Sequence, residues 1–102
     1  MPDPVRRHEP VPGEARHEVT IVNKRGLHAR ASAKFVGAVA AMEGVRVIVR
    51  KDDHSASGGS ILGLMMLGAA KGDTVELTVS GDEAQARLDE LVQLVESGFG
   101  ED

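Results

Sequence analysis

The chain has 102 residues, which is enough for one small hydrophobic core but too few for a second catalytic domain. Its formal net charge of -4 disfavours general affinity for nucleic acid, which normally requires a basic face. Because cysteine is absent, disulfides and thiolate chemistry are excluded, and the composition suits a cytoplasmic protein.

The N-terminal segment differs in composition from the rest of the chain. Residues 1–16 contain all four prolines and several charges, which predicts a flexible tail ahead of one domain over residues 17–102. From His17 to Asn23 apolar and polar residues alternate, with Val19 and Ile21 on one side. This alternation predicts a half-buried strand.

A helix and a hairpin are predicted next. Lys24 to Leu27 form a basic, glycine-containing loop. Apolar residues at helical spacing predict a helix from Ala29 to Met42, with Gly44 as its left-handed C-terminal cap. Valine and arginine then alternate up to the Asp52-Asp53 pair, which predicts a hairpin turn with His54 to Ser57 as the returning strand.

The C-terminal half predicts a short helix, a strand and a long helix. Ser60 to Leu67 is predicted as one or two helical turns, and the nearly apolar run Ile61 to Ala70 is too short to cross a bilayer. Alternation from Thr74 to Val79 predicts a strand, and Ser80 with Glu83 has the spacing of a capping box before the last helix. The order β-α-β-β-α-β-α predicts a two-layer α+β sandwich, with helices on one face of a single sheet.

The stretch from Asn23 to Arg30 places His28 where a glycine loop meets a helix start. First-turn amides have no intrahelical partner, and the macrodipole adds partial positive charge, so an anion is stabilised there. Because no Ser, Thr, Asp or Asn stands at the cap, we expect the amides of Ala29, Arg30 and Ala31 to bind a phosphate. A neutral imidazole is nucleophilic, so His28 is the candidate carrier of that phosphate.

Positive charge surrounds this histidine. The guanidinium of Arg30 can bind phosphate oxygens, and Lys24, Arg25 and Lys34 extend the positive field. A single histidine in a small protein is usually a surface or capping residue. The whole constellation, rather than the histidine alone, therefore favours phosphoryl chemistry.

Two motifs carry a resemblance to a known family. Gly26-Leu27-His28-Ala29-Arg30 resembles the active-site motif of the HPr-type phosphocarriers of the bacterial phosphotransferase system. Ser60 to Leu67 resembles the regulatory-serine segment of that family, and the likeness extends from about His17 to the C-terminus. The family often has proline where this chain has Ala31, which loosens the first helical turn and restores an amide donor.

The resemblance implies a fold and a set of partners. The fold is an open-faced sandwich, in which three helices cover one face of a four-stranded antiparallel sheet. Nδ1 of His28 would receive a phosphoryl group from phosphorylated enzyme I and pass it to EIIA-type proteins, in sugar uptake or regulation, with Arg30 stabilising the phosphate. The protein would then be a co-substrate in phosphotransfer rather than an independent catalyst. Ser60 would be the target of an HPr serine kinase/phosphorylase, although a simple helix-capping role fits it equally.

A docking surface is expected beside His28. A helix of two turns cannot bury every side against one sheet, so part of the short helix is predicted to form an exposed apolar patch. For any single residue of such a patch, the alternative interpretation is burial in the core. The residues assigned to partner docking are Leu27, Ile61, Leu62 and Met65.

Two other function classes stay open on the sequence alone. A small RNA-binding module would use the basic stretch from Lys24 to Lys34, but aromatic residues suited to base stacking and a GxxG clamp are lacking. A ligand-sensing domain would bind a metabolite through its glycine loops, with no covalent state. His8, His17 and His54 lack metal-ligand spacing, so neither a metal nor a cofactor is expected, and the chain is expected to be a monomer.

Overall fold

The computed structural model describes residues 13–101 of the chain. Four strands and three helices follow one another in the predicted order, and a short 3-10 turn comes last. Their bounds are β1 Glu14–Thr20, α1 Ala29–Ala40, β2 Val45–Lys51, β3 His54–Ser57, α2 Ile61–Met66, β4 Thr74–Gly81, α3 Ala84–Glu96 and the turn Gly98–Gly100.

The strands form one antiparallel sheet in the spatial order β1-β4-β2-β3. In β2 and β4 burial alternates, so buried apolar residues point toward the helices and the residues between them lie on the opposite, solvated face. Pairing places Val47 opposite Val79 and Val49 opposite Leu77, which brings the apolar rows of β2 and β4 together. The predicted α+β open-faced sandwich is confirmed.

The core lies between this sheet and one stripe of each long helix. The phenylalanine in α1, Phe35, is 2% exposed, and Leu91 in α3 is fully buried. Burial of such side chains contributes about 1.5 to 3 kcal/mol each. The buried apolar residues of the sheet and the long helices are Ala15, Val19, Val47, Val49, Val75, Leu77, Val79, Ala31, Phe35, Ala84, Leu88, Leu91 and Val95.

The first strand begins earlier than the sequence predicted. β1 starts at Glu14 rather than His17 and ends at Thr20, so the strand includes three residues of the segment predicted as a tail. The reason is pairing with the far end of β4: Glu14 lies opposite Ser80, and Ala15 opposite Val79, where Ala15 joins the core. Residues 1–12, the rest of the predicted tail, and residue 102 lie outside the described part.

The first helix ends earlier than predicted. α1 stops at Ala40 and its C-terminal cap is Ala41, in an ordinary right-handed conformation. Gly44 does have a positive φ of 73°, but it lies in the turn that leads into β2. Its conformation serves strand entry rather than helix termination.

The predicted capping box at the last helix is wrong. Ser80 belongs to β4, where it lies opposite both Glu14 and Arg46. Sheet pairing on two sides keeps β4 extended to Gly81, so α3 can begin only at Ala84. Glu83 stands before it with φ of 52° and no capping hydrogen bond from its side chain.

Among residues 13–101, no helix combines the length and the hydropathy needed to cross a membrane.

Candidate functional site

His28 is the residue immediately before α1. Its backbone is extended, with φ of -73° and ψ of -179°, and its carbonyl oxygen accepts a hydrogen bond from the amide of Ser32 at 2.9 Å. The ring makes no capping bond to the helix, so the first-turn amides are left without a side-chain acceptor from that residue. Ala29 and Arg30 are exposed, whereas Ala31 is fully buried because its methyl group belongs to the core.

The loop before His28 is held against the segment that follows α2. Gly26 has φ of 62°, and a Cβ added to it would collide with the carbonyl oxygen of Ala69. The amide of Leu27 donates to that same oxygen at 2.9 Å. Ser32 adds a second tie, since its hydroxyl donates to the carbonyl oxygen of Leu27 at 3.1 Å. Only glycine fits at position 26, and this fit determines where His28 lies.

A carboxylate that the sequence analysis did not select lies on the ring of His28. Nε2 of His28 is 2.6 Å from Oε2 of Glu101. Asn23 is buried and donates from Nδ2 both to Oε1 of Glu101 at 3.0 Å and to the carbonyl oxygen of Gly26 at 2.8 Å. The side chains of His28 and Glu101 are 18% and 17% exposed, so their contact is largely shielded from solvent.

The surroundings of Glu101 stabilise its charged form. Partial burial by itself raises the pKa of this carboxyl. Hydrogen bonds from Asn23 and His28, together with the positive charge of Lys34 and that of His28 when its ring is protonated, outweigh that effect. The pKa of Glu101 is therefore lower than its ordinary value.

The C-terminal turn carries Glu101 to this place. Gly98, Phe99 and Gly100 have successive positive φ values of 66°, 59° and 73°, which reverse the chain after α3. Phe99 is 1% exposed and anchors the turn in the core, and its carbonyl oxygen accepts from Nζ of Lys34 at 2.7 Å. A left-handed phenylalanine is uncommon, so tertiary packing must hold this geometry.

The basic residues expected near His28 do lie together. They line an open cleft of about 390 Å³ at the start of α1. Over the described range 13–101, the side chains of Lys24, Arg25 and Arg30 form no ion pair, so their charge is available to an incoming anion. The lining residues are Lys24, Arg25, His28, Arg30, Lys34, Gly100 and Glu101.

Ser60 is not among the residues that line this cleft. It is the N-cap of α2, and its hydroxyl oxygen accepts a hydrogen bond from the amide of Gly63 at 3.0 Å. The capping role considered for Ser60 is thus present. The side chain is partly exposed, so a phosphorylating enzyme would have access to it.

The surface of α2 is apolar and exposed. Leu64 is its buried residue, and the other large side chains face outward. This α2 patch consists of Ile61, Leu62, Met65 and Met66, which are 42%, 68%, 40% and 77% exposed. Leu27 does not belong to it: at 7% exposed, its side chain lies in the core, so its assignment to partner docking is corrected.

Comparison with known proteins decides the family. The model of the PTS HPr component phosphorylation site matches residues 15–97. The chain belongs to this family of HPr phosphocarriers. The phosphocarrier protein HPr of Pseudomonas putida is 43% identical over 84 residues, 82% of this chain and 93% of that protein. The phosphocarrier protein NPr of Shewanella violacea is 41% identical over 85 residues, 82% of this chain and 91% of that protein.

Solved HPr structures share the fold. The crystal structure of HPr-C-His from Thermoanaerobacter tengcongensis matches with a TM-score of 0.80 at 38% identity, covering 86% of this chain and 98% of that chain. The resemblance to HPr-type phosphocarriers is confirmed.

Asn23 and Glu101 are the site residues that sequence reasoning missed. Asn23 lies three residues before Gly26, but nothing local indicates that its side-chain amide binds a residue near the C-terminus. Glu101 follows a Gly-Phe-Gly sequence that signals a turn and is separated from His28 by 73 residues. No local pattern predicts a contact over that separation.

Proposed function

We propose that this HPr phosphocarrier accepts a phosphoryl group on the imidazole of His28 from phosphorylated enzyme I. It passes the group to EIIA-type proteins in the cytoplasm, in sugar uptake or in regulation. The observation that carries the proposal is the position of His28 at the start of α1, in a cleft lined by four basic residues. Few other arrangements bring a nucleophilic ring, helix amides and a guanidinium to one place.

Phosphoryl transfer depends mainly on positioning and on stabilising the negative charge of the phosphoryl oxygens. A ring nitrogen of His28 forms the bond to phosphorus while the bond between phosphorus and the donor breaks. Arg30 lines the same cleft as His28, and the first-turn amides of α1 follow that histidine directly in the chain, so both can stabilise those oxygens. Lys24, Arg25 and Lys34 attract the phosphorylated partner over a longer range.

The α2 patch is the proposed docking surface for both partners. Its four side chains project from one short helix, and the segment just after that helix holds the loop of His28 through the Leu27–Ala69 hydrogen bond. Two of the four are methionines, whose flexible side chains suit a surface that must accept more than one partner. The carrier is expected to act as a monomer, with this surface free for each partner in turn.

Ser60 is proposed as a regulatory site on this surface. Phosphorylation at the start of α2 agrees with the helix dipole and leaves the fold intact. The added charge lies directly beside the apolar patch, where it hinders docking through desolvation and repulsion.

The RNA-binding alternative lacks support in the described residues. Base stacking needs exposed aromatic side chains, but Phe35 and Phe99 are the only aromatic residues of the chain and are 2% and 1% exposed. The basic cleft is therefore assigned to a phosphorylated protein rather than to RNA.

Transfer from enzyme I tests the proposal. The full chain is incubated with enzyme I and phosphoenolpyruvate, and the bound phosphate is measured by mass and by acid lability. We expect one acid-labile phosphate per chain, lost in His28→Ala and retained in His54→Ala, which removes an exposed histidine of β3. Equal phosphate uptake by His28→Ala and the unmodified chain would refute the assignment.

A further inference from the structure

The contact between His28 and Glu101 assigns roles to the two ring nitrogens. Oε2 of Glu101 lies 2.6 Å from Nε2 of His28. An ionised carboxylate has acceptors only, so the proton in this bond must be carried by Nε2. In the neutral ring, the lone pair available for reaction is then on Nδ1.

We propose that Glu101 is a positioning residue, which holds the Nε2–H of His28 and thereby presents Nδ1 as the nitrogen that receives phosphorus. The inference rests on the proposed function of His28. It adds a residue that neither binds the phosphate nor forms part of the motif around the histidine.

Two independent constraints hold Glu101 in place: a hydrogen bond from Asn23 and the backbone turn that precedes it. Its second oxygen, Oε1, accepts from Nδ2 of Asn23, whose other acceptor is the carbonyl oxygen of Gly26. Nδ2 faces two acceptors. If the Asn23 amide were turned the other way, its oxygen would face those two oxygens and both hydrogen bonds would be lost, so the observed orientation is favoured. Oδ1 of Asn23 is buried and has no hydrogen-bond partner within the described residues, an arrangement that costs free energy.

The turn before Glu101 supplies the second constraint. Phe99 is buried in a left-handed conformation, and Lys34 donates to its carbonyl oxygen. Strained backbone of this kind persists only where the surroundings impose it. The backbone before Glu101 is therefore fixed by the core, and this fixed backbone places the carboxylate next to His28.

The proposed step is balanced without an additional base. The Nδ1 lone pair forms the nitrogen–phosphorus bond, and the bond from phosphorus to the donor breaks with its electron pair leaving on the donor. Nδ1 carries no proton, so none has to be removed. The ring gains a positive charge that the carboxylate of Glu101 offsets through Nε2–H, and the reverse movement of electrons occurs when an acceptor takes the phosphoryl group.

The test compares the full chain with Glu101→Ala and with Glu96→Ala. Glu96 is exposed near the end of α3, so its removal changes the net charge equally without touching the ring. Nitrogen-15 NMR of the imidazole in unphosphorylated protein, at a pH where the ring is neutral, reports which nitrogen carries the proton. Single-turnover transfer from enzyme I is measured on the same samples.

We expect a single Nε2-protonated form with a hydrogen-bonded proton resonance in the unmodified chain and in Glu96→Ala. In Glu101→Ala that resonance is lost, a form protonated at Nδ1 becomes detectable, and transfer slows about tenfold, as when other histidines lose an orienting carboxylate. Glu101→Gln keeps the side-chain length but can accept from only one of its two donors, so we expect an intermediate rate.

The other possible outcomes distinguish failure of the role of Glu101 from failure of the proposed function of His28. An unchanged nitrogen spectrum in Glu101→Ala, or an unchanged transfer rate despite an altered spectrum, overturns the role of Glu101 while leaving phosphate uptake by His28 intact. If the unmodified chain takes up no phosphate, the proposed function of His28 fails and the role of Glu101 fails with it.

Discussion

The amide of Leu27 donates to the carbonyl oxygen of Ala69 at 2.9 Å, so the residue just before His28 is tied to the segment that follows α2. This bond connects the loop of His28 with the segment after the helix that exposes the apolar patch. The close approach of the two segments depends on Gly26, where a Cβ would meet the same carbonyl oxygen.

Gly26→Ala is expected to destabilise the protein and displace His28. The new methyl group would collide with Ala69 in a backbone conformation that L residues rarely adopt, at a cost of about 2 kcal/mol or more. Thermal unfolding and phosphate uptake should both decline. Gly37→Ala is the control, because that position in α1 has open space around it and gains about 0.5 to 1 kcal/mol of helix propensity. Equal stability of the two variants would contradict the steric argument.

Arg30→Ala is expected to slow phosphate transfer with little change in stability. The side chain is exposed and forms no ion pair within residues 13–101, so its loss should cost little stability. Loss of one preorganised donor to developing charge typically costs about 100-fold in rate. Arg30→Lys keeps the charge but not the planar guanidinium, so its transfer rate should lie between those of the unmodified chain and Arg30→Ala. Single-turnover kinetics measure the series, with Arg46→Ala in β2 as the control that should match the unmodified chain.

Leu62→Ser is expected to weaken docking of enzyme I. Leu62 is 68% exposed, so the change removes apolar contact area from the α2 patch at about 1 kcal/mol without opening a cavity. The KM for enzyme I should rise while the melting temperature stays constant. Leu64→Ala should behave in the opposite way, because Leu64 is fully buried and its truncation costs about 2 to 5 kcal/mol of stability. An unchanged KM for Leu62→Ser would remove this residue from the docking surface.

Ser60→Asp is expected to slow transfer to His28 while preserving the fold. The aspartate side chain can accept a hydrogen bond from the Gly63 amide as serine does, and its negative charge interacts favourably with the helix dipole. Ser60→Ala loses this cap, which should lower the free energy of unfolding by about 1 kcal/mol. Transfer rates and melting temperatures distinguish the two effects. Ala86→Asp adds the same charge on the exposed face of α3 and should leave transfer unchanged. If Ser60→Asp transfers at the normal rate, Ser60 acts as a cap and not as a switch.

The contribution of Glu101 to stability should depend on pH. Its pKa is lowered in the folded protein from an ordinary value of 4.5, so the unfolded chain binds the proton more readily. The stabilisation is fully present above that ordinary value and is lost as the pH falls through the lower folded-state pKa. Melting temperatures of the unmodified chain and Glu101→Ala should therefore differ at neutral pH and converge in strong acid. A difference that grows on acidification would contradict the sign of this linkage.

Local patterns in the sequence determined the element types and the position of His28 at a helix start. Alternation predicted the hairpin of β2 and β3 around Asp52-Asp53, because side-chain period follows directly from strand geometry. The glycine loop, His28 and Arg30 were predicted at a helix start, because loop and helix signals are adjacent in the chain. The apolar surplus in α2 predicted an exposed surface, because a helix of two turns has too little contact with one sheet.

Tertiary structure alone decided where the elements end and which residues, Asn23 and Glu101, join His28 at the site. β1 extends back to Glu14, and β4 forward through Ser80, because each strand is completed by a partner distant in sequence. The approach of Glu101 to His28 likewise depends on the packing of Phe99 and on the buried amide of Asn23. Periodicity reports on neighbours within a few residues, whereas these contacts exist only once the whole core has formed.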